Sequence, residues 1–297
     1  MKFFNTIFTT VFTAIRRLIK RILGIIIMND GYMPIQSSFT APNYIQHTTH
    51  QERKHRDCVI LVPCNGGIEP KCDEALRILE SRGYEVWRTV GFSCISQGRS
   101  KMTYDAIYRR GFKEILWIDS DIVFNPDDVD RIIAHNLPLV GAAYPMKGWP
   151  VMTVAPINQN EIVFDEYNGG LIEVEALATG FLYIKSEVFF KLKERFNLPI
   201  CNTSFSAETI PFFRPEIWSE NGTDLFLGED FSFSKNCKAI GYKPMLDTRI
   251  KLKHIGKYEY SWEDVINQTG RICKPNTGKP LIYKELHKNS NSIGQIG

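Results

Sequence analysis

From Cys58 onward, short apolar runs alternate along the chain with longer stretches of helical periodicity. The apolar runs are rich in β-branched and aromatic residues, and glycines close the first two amphipathic stretches, as expected for strands followed by helices. This alternation predicts right-handed βαβ units and a mostly parallel sheet. The predicted strands here are 58–63, 84–90, 114–124 and 138–144, and the predicted helices are 69–81, 100–110 and 127–134.

After Met146 the rhythm changes to shorter strands with irregular connections. The pattern predicts strands at 151–157, 161–164, 171–177, 181–185 and 245–253, helices at 186–195 and 229–240, and an aromatic-containing loop at 199–224. We therefore expect one α/β domain over residues 57–256, followed by a C-terminal extension over residues 257–297.

Residues 3–26 have a different pattern, in which apolar residues recur every three or four positions and basic residues lie between them. The longest uncharged run, Phe3–Ile15, is shorter than the roughly 20 residues that a membrane-spanning helix needs. An amphipathic helix over residues 1–28 that lies in the plane of an anionic membrane surface is the favoured interpretation. A packing or oligomerisation helix and a signal anchor are the alternatives. The polar segment 29–56 is predicted to be a linker.

Charge and cysteine content restrict the partners of the chain. Of the net charge of +3, residues 1–30 contribute +4, so the rest of the chain is close to neutral and does not resemble a nucleic-acid-binding domain. The seven cysteines form no CxxC pair, which favours reduced thiols over a zinc site or a disulfide framework. We therefore expect a cytoplasmic protein that associates peripherally with membranes.

The strongest chemical signal is Asp119-Ser120-Asp121, directly after the apolar run Ile115–Ile118. In an open α/β sheet, ligands bind beyond the carboxyl ends of the strands. Two aspartates at such an end can offer oxygens to a hard divalent cation, which in turn neutralises phosphate charge. The alternative is that both aspartates are solvated and cap the helix that follows Pro126.

Several segments, taken together in their order and spacing, resemble the GT-A glycosyltransferases, specifically the family-two-like inverting group with its phage, viral and bacterial relatives. These segments are Gly98-Arg99-Ser100, LWIDSDIVFNP, VGAAYP, ALATGFLYIKSEVF, GEDFSFSKNCKAIGYKP and KLKHIG, which lie within residues 58–256. The resemblance implies a GT-A fold, a Rossmann-like nucleotide-diphospho-sugar transferase domain. It also implies a UDP- or GDP-sugar donor, a glycan or glycoconjugate acceptor, and Mn²⁺ or Mg²⁺ on the donor diphosphate.

The resemblance also assigns individual residues. It implies that the metal is bound directly by Asp121, with support from Asp119 through ribose or water and with His254 as a third ligand. It implies that the nucleotide diphosphate and its sugar contact Pro63, Asn65, Arg99, Asp119, Thr179 and Gly180.

Catalysis is expected at the acidic pair Glu229-Asp230, which opens a predicted helix. Glycosyl transfer with inversion needs a carboxylate that takes the proton of the acceptor hydroxyl, and Asp230 is the candidate base, with Glu229 binding the acceptor. Acidic residues are also favoured at a helix N-terminus by the helix dipole, which is the competing structural explanation. The aromatic residues Phe205, Phe212, Phe213 and Trp218 are either acceptor-stacking or core residues.

Two other functions remain open at this stage. A nucleotidyltransferase would favour a glycine-rich loop with an early lysine after the first strand, whereas here Asn65-Gly66-Gly67 is followed by a lysine only at Lys71. A non-catalytic, membrane-associated nucleotide-sugar-binding protein would not need the complete set of acidic residues and His254.

The membrane interpretation predicts that deleting residues 1–28 abolishes binding of the protein to vesicles that contain phosphatidylserine, because the deletion removes both the apolar face and the basic residues. Vesicle flotation measures this binding, and high salt should release the full-length protein. Retention in high salt and alkaline carbonate, with the C-terminus protected from protease in sealed vesicles, would instead indicate a signal anchor.

Overall fold

The structure is a computed structural model that describes residues 57–148, 152–156, 161–220, 222–261, 264 and 282–284. The predicted helix at 1–28, the predicted linker at 29–56 and most of the predicted extension at 257–297 lie outside the described residues. In the part of the chain that is described, no helix is both long and apolar enough to cross a bilayer.

The strands and helices alternate through the first half of the domain. The helices are α1 Pro70–Ser81, α2 Ile95–Tyr104, α3 Pro126–Ala134, α4 Ser186–Arg195 and α5 Glu229–Ala239, and a π-helical turn, Asp105–Arg109, continues α2. The strands are β1 Cys58–Cys64, β2 Glu85–Val90, β3 Glu114–Ile118, β4 Ile122–Val123, β5 Leu139–Gly141, β6 Val154–Pro156, β7 Glu161–Val163, β8 Leu171–Leu177, β9 Phe181–Lys185, β10 Glu216–Glu220, β11 Thr223–Leu227, β12 Met245–Asp247, β13 Lys253–Ile255, β14 Glu259–Tyr260 and β15 Ile282–Lys284.

The central sheet has eight strands in the order β2-β1-β3-β9-β5-β12-β8-β6. Strands β2, β1 and β3 are parallel, as are β5 and β12, whereas β9 and β8 run antiparallel to their neighbours. The predicted fold class, an α/β domain around a mostly parallel central sheet, is therefore confirmed. All seven residues of β1 are buried because helices and loops cover both faces of the sheet at this position.

The segment 114–124 was predicted as one strand, which is wrong. Strand β3 ends at Ile118, and a turn follows in which the Ile122 N–H donates to the Asp119 carbonyl at 3.1 Å. Strand β4 then leaves the central sheet and joins β13 and β14 in a separate three-stranded sheet. At this turn both aspartate side chains are partly exposed, at 24% for Asp119 and 28% for Asp121.

Other segments also differ from the predicted ones. Helix α2 begins at Ile95 and not at position 100, so Gly98 lies inside it. A glycine is needed at this position because the Phe92 ring occupies the space that a Cβ would fill. The predicted strand 245–253 consists of two strands, β12 and β13, which belong to different sheets. The loop predicted at 199–224 contains β10 and the start of β11, which form an antiparallel hairpin.

The aromatic residues before α5 have different environments. Phe212 and Phe213 are buried with Phe189 and Phe233 in a cluster whose Phe213–Phe233 ring centroids are 4.4 Å apart. They are therefore core residues. Phe205 is 69% exposed.

Candidate functional site

A cavity of about 330 Å³ opens where β1 and β3 end and α2 begins. Five of the residues that line it were predicted from the sequence: Pro63, Asn65, Arg99, Asp119 and Asp121. Phe92 and Ser93 before α2 and Ile95 at its first position complete the wall, and the sequence analysis missed them because the chain has no recognisable periodicity there. The cavity therefore lies at the carboxyl edge of the sheet, where α/β folds bind their ligands.

Arg99 is the central cation of the site. Its guanidinium is only 4% exposed, and its Nη2 donates to both carboxylate oxygens of Asp119, at 2.8 and 3.1 Å. Its Nε lies 3.5 Å from a carboxylate oxygen of Glu229, and the guanidinium lies over the Trp117 ring at 5.3 Å from the centroid. Burial opposes the charge of Arg99, but the neighbouring charges of Asp119 and Glu229 outweigh burial and raise its pKa.

Asp121 is brought to His254 by the pairing of β4 with β13. His254 lies opposite Ile122 in this pairing, and the Ile255 N–H donates to the Asp121 carbonyl at 2.8 Å. His254 Nε2 is 3.5 Å from a carboxylate oxygen of Asp121. The other ring nitrogen, Nδ1, lies 2.9 Å from the Pro145 carbonyl oxygen. Because a carbonyl only accepts hydrogen bonds, Nδ1 carries the proton, and Nε2 is the nitrogen that faces Asp121.

The second carboxylate oxygen of Asp121 contacts the ammonium group of Lys147. Burial tends to raise the pKa of Asp121, but the interactions with His254 and Lys147 outweigh burial and lower it. Asp121 is thus an ionised carboxylate at neutral pH. Sequence analysis missed Lys147 because nothing in the local pattern distinguishes it from a surface lysine.

The predicted metal ligands are only partly brought together. Within the described residues no three His, Cys, Asp or Glu side chains form a ready metal cluster, and Asp119 is turned towards Arg99. Asp121 and His254 do face each other, and the hydrogen bond of Nδ1 to a carbonyl is the arrangement that commonly orients a metal-binding histidine. One carboxylate oxygen and one imidazole nitrogen suit Mn²⁺, and the carboxylate suits Mg²⁺. This pair therefore fits the implied cation.

Glu229 and Asp230 open α5, and their environments differ although they are neighbours in sequence. Glu229 lies beside Arg99, whereas Asp230 accepts a hydrogen bond from the Phe231 N–H at 2.7 Å. Burial, and then the charge of Glu229, raise the pKa of Asp230 to about 6, although the Phe231 N–H and Arg99 act in the opposite direction. Asp230 therefore gains and loses its proton close to physiological pH.

Tyr144 connects the two parts of the site and was not singled out from the sequence. Its hydroxyl accepts a hydrogen bond from the Gly180 N–H at 3.1 Å, and its ring meets His254 edge-on at 5.1 Å. Burial raises its pKa, and the charges of Asp119 and Asp230 raise it further.

The predicted residues Thr179 and Gly180 do not line the cavity. Thr179 is buried, and its hydroxyl has no hydrogen-bond partner among the described residues. Gly180 has a different role, because a Cβ at this position would overlap the Tyr144 ring and hydroxyl. Gly180 thus allows Tyr144 to pack against the turn that follows β3.

The buried Arg99–Asp119 pair predicts a strong dependence of stability on Arg99. Arg99→Met should lower the free energy of unfolding by about 3–5 kcal/mol, because Asp119 then loses its partner in a poorly solvated site. Arg77→Met is the matched control, since Arg77 is largely exposed and pairs with Asp73 along α1, and it should hardly change stability. Urea unfolding curves measure both, and equal curves for the two variants would contradict a buried ionic role for Arg99.

Comparison with known proteins shows similarity at the level of solved structures only. No family model matches the chain, and no curated protein matches it. A197 from STIV is 17% identical over 70% of this chain and 91% of its own length, with a TM-score of 0.49. A glycosyltransferase involved in the glycosylation of the major capsid of PBCV-1 is 13% identical over 45% of this chain, with a TM-score of 0.26.

GalNAc-T7, solved with UDP, GalNAc and Mn²⁺, is 15% identical over 71% of this chain, with a TM-score of 0.37. The chain spans 62% of the length of the PBCV-1 glycosyltransferase and 40% of that of GalNAc-T7, less than two thirds of either. The solved structures similar to the chain thus include a glycosyltransferase, the class that the sequence resembles.

Proposed function

We propose that this protein is a metal-dependent glycosyltransferase that moves a sugar from a UDP- or GDP-sugar to a hydroxyl group of a glycan or glycoconjugate, with inversion. The observation that carries the proposal is one cavity at the carboxyl edge of the sheet that is lined by a buried cation, Arg99, and by Asp121, whose carboxylate lies 3.5 Å from His254. Asp230, a carboxylate with a pKa of about 6, lies close enough to Arg99 to sense its charge.

The cavity supports binding of a nucleotide diphosphate. Its volume of about 330 Å³ lies within the range of small-molecule sites. Pro63 and Asn65 at the end of β1 offer a wall for the base and ribose, and the guanidinium of Arg99 faces the same space. Nη1 of Arg99 is buried and has no hydrogen-bond partner among the described residues, so one donor of this guanidinium is left unused.

Asp121 and His254 are the residues that would hold the divalent cation. A cation at this position supplies positive charge to the departing diphosphate, so that no protein acid is needed for the leaving group. The chain contributes orientation: the Pro145 carbonyl fixes the His254 ring, and the pairing of β4 with β13 fixes the distance between the two side chains.

Asp230 is proposed as the base that accepts the proton of the acceptor hydroxyl as this oxygen attacks the anomeric carbon. A pKa of about 6 leaves it ionised at neutral pH and more basic than an ordinary aspartate, as base catalysis requires. Glu229 is paired with Arg99, which leaves it less suited to proton transfer and better placed to bind the acceptor. A single working carboxylate is sufficient for a one-step displacement with inversion.

Membrane-bound acceptors fit the pattern of the N-terminal segment. The basic, amphipathic sequence at residues 3–26 supports peripheral contact with an anionic membrane, which would concentrate lipid-linked or membrane-bound glycoconjugates near the enzyme.

The proposed cation site predicts the behaviour of Asp121→Asn. This variant keeps the side-chain size but removes the charged ligand, so the Mn²⁺-dependent part of UDP or GDP affinity should fall by about 10- to 100-fold or more. Isothermal titration with and without Mn²⁺ measures this part directly. Asp224→Asn on the exposed β10–β11 hairpin is the control and should bind as the unmodified protein does. Equal nucleotide affinity of Asp121→Asn and the unmodified protein in Mn²⁺ would remove Asp121 from the metal site.

The assignment of Asp230 predicts opposite effects on activity and stability. Asp230→Asn keeps the acceptor for the Phe231 N–H but cannot take a proton, so sugar transfer should fall by about 10²–10⁴-fold. In the unmodified enzyme kcat/KM should rise with pH through about 6, and this step should be absent from the residual activity of the variant. Rates measured from pH 5 to 8 test both statements, and near-normal turnover would leave Asp230 as a helix-capping residue only.

The stability effect follows from the direction of the pKa shift. A folded-state pKa raised from 3.8 to about 6 stabilises the fold while Asp230 is protonated, and this contribution is lost as pH rises through about 6. Asp230→Asn should therefore be more stable than the unmodified protein at pH 8, by about 1–3 kcal/mol, and similar to it at pH 4. Urea unfolding at the two pH values measures the difference, and a variant that is less stable at pH 8 would contradict the raised pKa.

A further inference from the structure

Lys147 and His254 approach Asp121 on different oxygens. The ammonium group of Lys147 contacts Oδ2, and Nε2 of His254 faces Oδ1 at 3.5 Å. The Lys147 side chain is 41% exposed and that of Asp121 is 28% exposed, so this pair can be reached from solvent, and Asp121 lines the cavity. The carboxylate proposed to bind the metal thus already has a monovalent cation on it.

The position of Lys147 is supported by the turn between β13 and β14. A Cβ at Gly256 would lie 3.3 Å from Cδ and 3.6 Å from Cε of Lys147, so the absence of a side chain there leaves room for the lysine stem. The Gly256 N–H donates to the Tyr258 carbonyl at 2.9 Å, which closes the turn. The segment that carries His254 therefore also shapes the path of Lys147 towards Asp121.

Without ligands, each aspartate of the Asp119-Ser120-Asp121 turn contacts a cation. Arg99 balances Asp119, and Lys147 balances Asp121. A divalent cation that binds alone would be repelled by the ammonium group of Lys147, which contacts the same carboxylate. A diphosphate that binds alone would be repelled by the negative charge of Asp121. When the two arrive together, their charges largely cancel, and the displaced ammonium group has phosphate oxygens within reach of its flexible stem.

We propose that Lys147 is an exchangeable cation of the donor site: it occupies Asp121 until a divalent cation takes that carboxylate, and then pairs with the donor diphosphate. Lys147 thereby makes the binding of metal and of donor interdependent. This inference rests on the proposed function, because it requires that metal and diphosphate share the cavity. By linkage, the factor by which a nucleoside diphosphate raises metal affinity equals the factor by which the metal raises nucleotide affinity.

The test is a titration of the full chain with Mn²⁺, in which free Mn²⁺ is followed by electron paramagnetic resonance, without nucleotide and with saturating UDP or GDP. Protein-free titrations correct for the Mn²⁺ that the nucleotide binds in solution. The unmodified protein should bind Mn²⁺ about tenfold more tightly in the presence of nucleotide. Without nucleotide, Lys147→Met should bind Mn²⁺ about tenfold more tightly than the unmodified protein does. The ratio of its Mn²⁺ affinities with and without nucleotide should fall towards one.

Two control variants isolate the role of the charge. Lys147→Arg keeps a cation at the end of a long stem and should retain most of the coupling. Lys243→Met removes the same charge from an exposed lysine that pairs with Glu173, and it should titrate as the unmodified protein does. Thermal melting verifies that each variant is folded, and Lys147→Gln replaces the methionine variant if that one is not.

The outcomes separate the two proposals. If the unmodified protein binds Mn²⁺ with nucleotide, Asp121→Asn does not, and Lys147→Met matches the unmodified protein in both affinity and coupling, the inference about Lys147 is overturned and the metal site stands. If Mn²⁺ binding is absent from the unmodified protein, or is unaffected by Asp121→Asn, the proposed metal site fails and the inference fails with it.

Discussion

The buried guanidinium of Arg99 is the interaction on which the arrangement of the site depends. It joins α2 to the end of β3 through Asp119 and to the start of α5 through Glu229. Buried charges are tolerated only when they are paired, so these contacts fix three elements relative to one another. The same cation allows several carboxylates to gather around one cavity without strong mutual repulsion.

This pairing also separates the chemistry of Glu229 and Asp230. Glu229 pairs with the guanidinium of Arg99. Asp230 is buried and lies next to the negative charge of Glu229, and both effects raise its pKa to about 6. Two adjacent acidic residues are thus given different protonation behaviour by their surroundings alone. Tyr144 completes the arrangement because its ring contacts His254 edge-on, and Gly180 leaves the space that this ring requires.

The sequence was sufficient for the elements with strong periodicity and for the edge of the sheet that carries the site. Strands β1 and β9 and helices α1, α4 and α5 lie within one or two residues of their predicted bounds, because apolar runs define the two strands and proline, glycine or charged residues mark the ends of the three helices. The pattern failed at 114–124, where apolar residues on both sides of Asp119-Ser120-Asp121 imitate a continuous strand. Local sequence contains no information on the hydrogen bond that turns the chain there.

Local sequence is also insufficient to predict the contacts of Lys147 and Tyr144 or the pKa of Asp230. Each depends on groups that are distant in sequence, such as Gly256 for Lys147 and Gly180 for Tyr144. The resemblance named His254, but its partner nitrogen and its orientation follow only from the Pro145 carbonyl and from the pairing of β13 with β4.

That pairing has a consequence for the order in which the molecule matures during synthesis. Strand β4 and Asp121 leave the ribosome long before β13 and His254, so the nascent chain can form β1, β2 and β3 while β4 still lacks its antiparallel partner. A chain interrupted before residue 253 would contain the nucleotide-facing wall without the imidazole. The proposed cation site therefore depends on the second half of the domain, because His254 is still missing from a shorter nascent chain.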